Sequence, residues 1–93
     1  MCIIMLEKKF TIGCKQGFHL RPAQALMEAA TGFSSSIVVK KDNSDNEADA
    51  KSILGLMSLG LDYNQPVTVV VEGDDEADAL AAVEKLFLSN FGE

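Results

Sequence analysis

The stretch Gly17-Phe18-His19-Leu20-Arg21-Pro22, followed by Ala23-Gln24-Ala25-Leu26-Met27-Glu28-Ala29-Ala30, decides the reading of this chain. The second run is made of good helix formers. Proline is favoured in a first helical turn, where its missing N–H costs nothing. A helix therefore begins at about Leu20 to Pro22 and runs to Thr31, with Gly32 as its C′ residue. His19, the one histidine in the sequence, falls at or near the N-cap. The N–H groups of a first turn lack intrahelical partners and the dipole is positive there, so the place suits an anion. Neutral imidazole offers a lone pair near physiological pH, which makes His19 a candidate nucleophile. Arg21 is a candidate phosphate-facing cation, because its planar fork bridges two phosphate oxygens or pairs with a partner's carboxylate. A cation in a first turn opposes the dipole preference, so Arg21 points to a functional reason. Pro22 reads as structural, setting the start of the helix.

Upstream, Leu6, Lys8, Phe10 and Ile12 alternate with Glu7, Lys9 and Thr11. That pattern predicts a first strand, with Lys8 its one misfit. Gly13 to Gly17 forms the loop that delivers His19. Downstream, Phe33 to Ser36 is a turn, Ile37 to Lys41 a β-branched strand, and Asp42 to Asn46 a polar turn. Glu47 to Ala50 returns as a short strand of the same hairpin. Its acidic tip reads as solvated, since a calcium loop of the EF-hand kind needs its own glycine and closing glutamate. Ser52 is the N-cap of a short helix from Ile53 to Leu59, stopped by Gly60. Asp62 to Pro66 is a loop. Val67 to Glu72 is the strongest strand, and Gly73 ends it. Asp74, Asp75 and Glu76 load the next helix start with negative charge. That helix places Ala77, Leu80, Val83 and Phe87 on one face and reaches about Asn90. The order β-α-β-β-α-β-α predicts an α+β fold. Its form is a two-layer open-faced sandwich, a four-stranded, mostly antiparallel sheet with helices on one face.

Composition narrows the function. The 93 residues make one domain, 1–93, large enough for a modest core without disulfides or metal. Cys2 and Cys14 are too few for a disulfide scaffold, and with one histidine no zinc site is expected. Both read as free thiols in a reducing cytoplasm. No apolar run approaches the length of a membrane span, and Met1 to Leu6 is too short for a signal sequence. Net charge is −6, unevenly spread: +4 over residues 1–41 and −10 over residues 42–93. The half with His19 is thus the basic half, suited to phosphate and to acidic partner surfaces, while overall acidity argues against nucleic acid. No nucleotide-binding loop, metal cluster or second catalytic base marks a stand-alone enzyme, and no cofactor is expected.

Gly17-Phe18-His19-Leu20-Arg21-Pro22-Ala23 resembles the active-site signature of the HPr family, the histidine-containing phosphocarriers of the phosphoenolpyruvate-dependent sugar phosphotransferase system. A second block, Lys51-Ser52-Ile53-Leu54-Gly55-Leu56-Met57-Ser58-Leu59-Gly60, resembles that family's regulatory-serine region. The two stand in the family's order, and the likeness runs from about Met5 to Glu93. It implies that His19 accepts a phosphoryl group on Nδ1 from phosphorylated enzyme I and passes it to sugar-specific IIA domains. It implies a monomer, with no turnover of its own. Ser52 would be the regulatory phosphorylation site of the Gram-positive type, a substrate of a serine kinase/phosphorylase and a signal to a catabolite-repression regulator. Ile53, Leu54 and Met57, with Phe18 beside His19, would form an apolar surface for partners. The alternative is an HPr-like regulatory paralogue acting through phospho-Ser52; such paralogues generally lack the histidine that this chain retains. Two positions depart from the family pattern. Leu20 replaces a small or hydroxylated residue, which bears on access to His19, and Gln16 replaces a shorter polar one. The hairpin tip is also about two residues longer than the family's. The resemblance implies Met5 as the more natural start of the chain, since the family's first strand would begin just after it, and residues 1–4 would then be a disordered or strand-extending addition.

Overall fold

A computed structural model describes residues 5–15 and 17–92; the expectations for Cys2, for Gln16 and for residues 1–4 lie outside these. Strand β1 spans Met5–Thr11, helix α1 Leu20–Thr31, β2 Ser36–Lys41, β3 Glu47–Asp49, α2 Ile53–Ser58, β4 Pro66–Glu72 and α3 Glu76–Leu88, and a 3-10 turn follows at Asn90–Gly92. The strands form one sheet in the order β1-β4-β2-β3, and every neighbouring pair is antiparallel. This is the predicted α+β sandwich.

The central place of β4 explains its composition. Val67, Val69 and Val71 are fully buried beneath the helices, and Thr68 and Val70 on the other face are only 8% and 9% exposed. Neighbours on both sides cover that face: Lys9 stands opposite Thr68 on β1, and Lys40 opposite it on β2. The Lys9 ammonium reaches Asp42 at 3.2 Å, and the Thr68 hydroxyl donates to Asp42 at 2.8 Å. Together the hydroxyl and the ammonium hold the Asp42 carboxyl below the usual carboxylate range. The misfit Lys8 also finds its reason here. β1 is an edge strand, so Lys8 on its helix side reaches past the core to pair with Glu84 of α3.

The core is continuous from sheet to helices. Ile12, Leu26, Ile37, Val39, Leu56 and Val83 are its largest fully buried members, alongside the β4 valines. Phe10 of β1 stacks on Phe87 of α3 at 4.3 Å between ring centres.

Two helix ends differ from the sequence reading. Gly32 is not a left-handed C′ residue; it is the C-cap of α1, at φ −75, ψ −7, and its N–H and that of Phe33 close tight turns onto Ala29 and Ala30. Helix α3 stops at Leu88, short of Asn90, because Asn90 and Phe91 turn left-handed at φ 51 and φ 57. Its inward face is Ala79, Val83 and Phe87, with Ala77 exposed rather than buried. Once the helix starts at Glu76, four-residue spacing back from Phe87 lands on Ala79, not on Ala77.

The start of α3 is tied to the start of β2. Asp75 accepts hydrogen bonds from the Ser34 and Ser35 amides, at 3.0 and 2.9 Å, and from the Ser35 hydroxyl. The Ser35 hydroxyl, followed by the Ser34 amide, holds the Asp75 carboxyl below its ordinary range. Gly73 permits this approach: its φ is +150, and a Cβ there would lie 2.6 Å from the Ser35 Cα.

Candidate functional site

The loop before α1 is built to hold His19 in place. Gly17 adopts φ +80, and its N–H donates to the Cys14 carbonyl at 2.8 Å. The Phe18 N–H donates to the Leu61 carbonyl at 2.8 Å, so the loop after α2 braces the loop before α1. Gly17 faces the same carbonyl, which a Cβ would meet at 3.0 Å. Leu61 was not among the residues the sequence singled out, because it contributes a backbone oxygen and carries no side-chain signal.

His19 follows as the N-cap residue of α1, extended at φ −88, ψ −167, half-buried, with no capping hydrogen bond from its side chain to the helix. Its carbonyl accepts the Ala23 N–H at 3.1 Å and so opens the helical ladder. Leu20 and Arg21 are then the first two helical residues, and their N–H groups precede any carbonyl the helix can offer. Pro22 stands third, not first; it is buried and has no N–H to satisfy. No acidic residue lies in this first turn, whereas the first turn of α3 carries Glu76 and Asp78. The positive pole of α1 is thus left without a carboxylate of its own turn and is electrostatically open to an anion. Arg21 is exposed beside it.

Helix α2 packs against α1. Ser52 is its N-cap: the hydroxyl oxygen accepts the Gly55 N–H at 3.1 Å, and the residue is exposed. After C-cap Leu59, Gly60 takes φ +65 and ends the helix as predicted. The apolar residues of this short helix divide between core and solvent. Leu56 and Leu59 are buried and Ile53 is half-buried, while Leu54 is 80% and Met57 40% exposed. Leu20 is 54% exposed next to His19.

Phe18 requires a correction. It is 6% exposed and belongs to the core, where its ring meets Phe91 edge-on. It therefore adds nothing to an exposed partner surface. The loop turns Phe18 inward in order to hold His19 at the boundary.

The family model described as the PTS HPr component phosphorylation site matches residues 6–89. This chain belongs to the HPr family. It is 37% identical over 89 residues to the phosphocarrier protein HPr of Treponema pallidum, covering 96% of this chain and 99% of that one. It is 38% identical over 79 residues to the HPr-like protein Crh of Halalkalibacterium halodurans, covering 85% and 92%. Among solved structures, HPr-C-His of Thermoanaerobacter tengcongensis superposes with a TM-score of 0.87 at 44% identity, covering 95% of this chain and 97% of that one. HPr membership agrees with the observed fold. Among the described residues, no helix is long and apolar enough to cross a membrane, and no three His, Cys, Asp or Glu side chains gather to hold a metal.

Proposed function

We propose that this chain is a phosphocarrier in which His19 takes a phosphoryl group from phosphorylated enzyme I and gives it to IIA domains during sugar uptake. The observation that carries the reading is the place of His19, at the N-cap of a helix whose first two amides and uncompensated dipole await an anion. In the step, a lone pair on the His19 imidazole attacks phosphorus. A new P–N bond forms as the donor's bond to phosphorus breaks, and the donor atom leaves with the electron pair. Nδ1 is the nitrogen the family pattern designates. Arg21 balances the added charge or the partner's carboxylates. Positioning and charge stabilisation are what such transfers chiefly require. The same step in reverse sense, with His19 as donor, loads the acceptor. Leu20, Leu54 and Met57, together with half-buried Ile53, supply an apolar rim of the kind partners cover.

The test mixes the protein with phosphoenolpyruvate and a catalytic amount of enzyme I, then reads intact mass. The expected result is the gain of one acid-labile, base-stable phosphate, absent in His19→Ala. An acid-labile phosphate persisting on that variant would refute the assignment.

The comparable match to a Crh protein favours a second reading, in which Ser52 is phosphorylated and the chain acts as a regulatory binding module. The exposed N-cap hydroxyl of Ser52 supports it. A dianion at a helix start is electrostatically welcome, so modification would change the surface without unfolding the helix. Binding to a catabolite-repression regulator, measured after treatment with a serine kinase, should then vanish in Ser52→Ala. Unchanged binding would remove this reading and leave the relay alone.

A further inference from the structure

The turn after α3 reaches back to the loop that carries His19, and it does so at both ends of that loop. At one end, the Cys14 thiol donates to the Asn90 carbonyl at 3.8 Å. Beside it, the Asn90 side chain lies so close over Gly13 that a Cβ there would come within 2.3 Å of its oxygen. At the other end, the Phe91 ring stands edge-on to Phe18, with ring centres 5.2 Å apart and planes at 77°. Phe18 is the residue immediately before His19. Phe91 is itself 9% exposed and rests on Phe87, edge-on at 4.8 Å.

This contact requires an unusual backbone. Asn90 and Phe91 are consecutive left-handed residues, at φ 51 and φ 57. Asparagine tolerates that region, but an aromatic residue there is an outlier, and such strain persists only where the surroundings over-determine it. The surroundings here are the two phenylalanine rings that grip Phe91. The strain therefore places a ring behind Phe18, at the foot of the nucleophile.

We infer that Phe91 is a positioning residue for His19: its ring, seated by the left-handed turn, backs Phe18 and so holds His19 in the extended N-cap conformation from which transfer occurs. The inference rests on the phosphocarrier reading and deepens it. Removing the ring leaves a gap behind Phe18, and the backbone that carries His19 loses its stop. Group transfer is sensitive to displacement of this kind, about a hundredfold for a misplacement on the order of 1 Å.

The test compares Phe91→Ala, Phe91→Leu and Phe10→Ala in single-turnover phosphorylation by phosphorylated enzyme I. Phe10 is the control, since its ring stacks on the same Phe87 from the sheet side. Phe91→Ala should slow transfer at saturating enzyme I about tenfold or more, while the half-saturating concentration moves less than about twofold, because docking uses the exposed rim. Phe91→Leu should recover most of the rate, and Phe10→Ala should stay within about twofold of the parent. A Phe91→Ala rate equal to the parent's, or an equal slowing in Phe10→Ala, would overturn the inference. A second readout needs no phosphoryl donor. Amide exchange at Phe18, whose N–H is held by Leu61, should quicken in Phe91→Ala and not in Phe10→Ala. If the parent takes no phosphate, the phosphocarrier reading fails and exchange alone decides the positioning: unchanged protection at Phe18 refutes it. Should Phe91→Ala not fold, Phe91→Val against Phe10→Val carries the same comparison.

Discussion

At the scale of single residues, the two helix starts with functional promise are capped in opposite ways. Ser52 spends its side chain on the helix, accepting the Gly55 N–H. His19 makes no side-chain cap, so the helix is held at that end by Pro22 and by backbone hydrogen bonds. The consequence for Ser52 is measurable. Ser52→Ala should lower stability by about 1 kcal/mol, the usual value of such a cap, and Ser52→Asp should retain nearly all of it. Urea midpoints at pH 7 for the three proteins check this, and equal midpoints would show that the cap contributes nothing here.

At the scale of elements, α2 and its C-cap Leu59 together carry five large apolar residues and cannot bury them all. The structure sends Leu56 to the core and leaves Leu54 almost fully in solvent. The two substitutions should therefore part company. Leu56→Ala opens a cavity and should cost about 2–5 kcal/mol. Leu54→Ala should change stability by less than about 0.5 kcal/mol while weakening phosphoryl exchange with partners, read as a higher half-saturating concentration. A large stability loss in Leu54→Ala would place that side chain in the core instead. The pairing of α1 with α2 sets this short helix beside the helix that His19 caps.

At the scale of the whole molecule, two carboxylates join elements far apart in the chain. Asp42 ties the hairpin loop to β4 and β1, and Asp75 ties α3 to the turn before β2. Both have their folded-state pKa lowered, by the Thr68 hydroxyl and the Ser35 hydroxyl respectively, before other contributions. A carboxyl depressed on folding contributes stability that is complete above its unfolded value and is lost as pH falls through the folded one. These ties should therefore hold at neutral pH and loosen below about pH 4, where unfolded aspartates protonate. Urea midpoints followed from pH 7 to pH 2 should show Asp75→Asn and Asp42→Asn less stable than the parent at neutrality and closer to it at the acid end. A constant gap across that range would mean that the carboxylate charge is not what the neighbours recognise.

The sequence by itself determined what depends on short range. Spacing of apolar residues, one proline, a few glycines and an N-cap serine were enough for the seven elements, for α1 from Leu20 to Thr31, and for His19 at its start. Their energetics are local, so neighbours in the chain carry the information. Only the tertiary structure decided which residues face which. It placed β4 at the centre of the sheet, because strand pairing joins distant segments whose order no single segment encodes. It turned Phe18 inward and left Ala77 outside, because the buried face of an element is set by what packs on it. It bent Asn90 and Phe91 left-handed, a conformation their side chains disfavour and that packing against Phe18 and Phe87 maintains. His19 was legible in the chain as a candidate nucleophile because its chemistry and its helix start lie within six residues. The groups that contact Phe18 beside it, the Leu61 carbonyl and the Phe91 ring, were not, since one is backbone and the other stands 72 positions after His19.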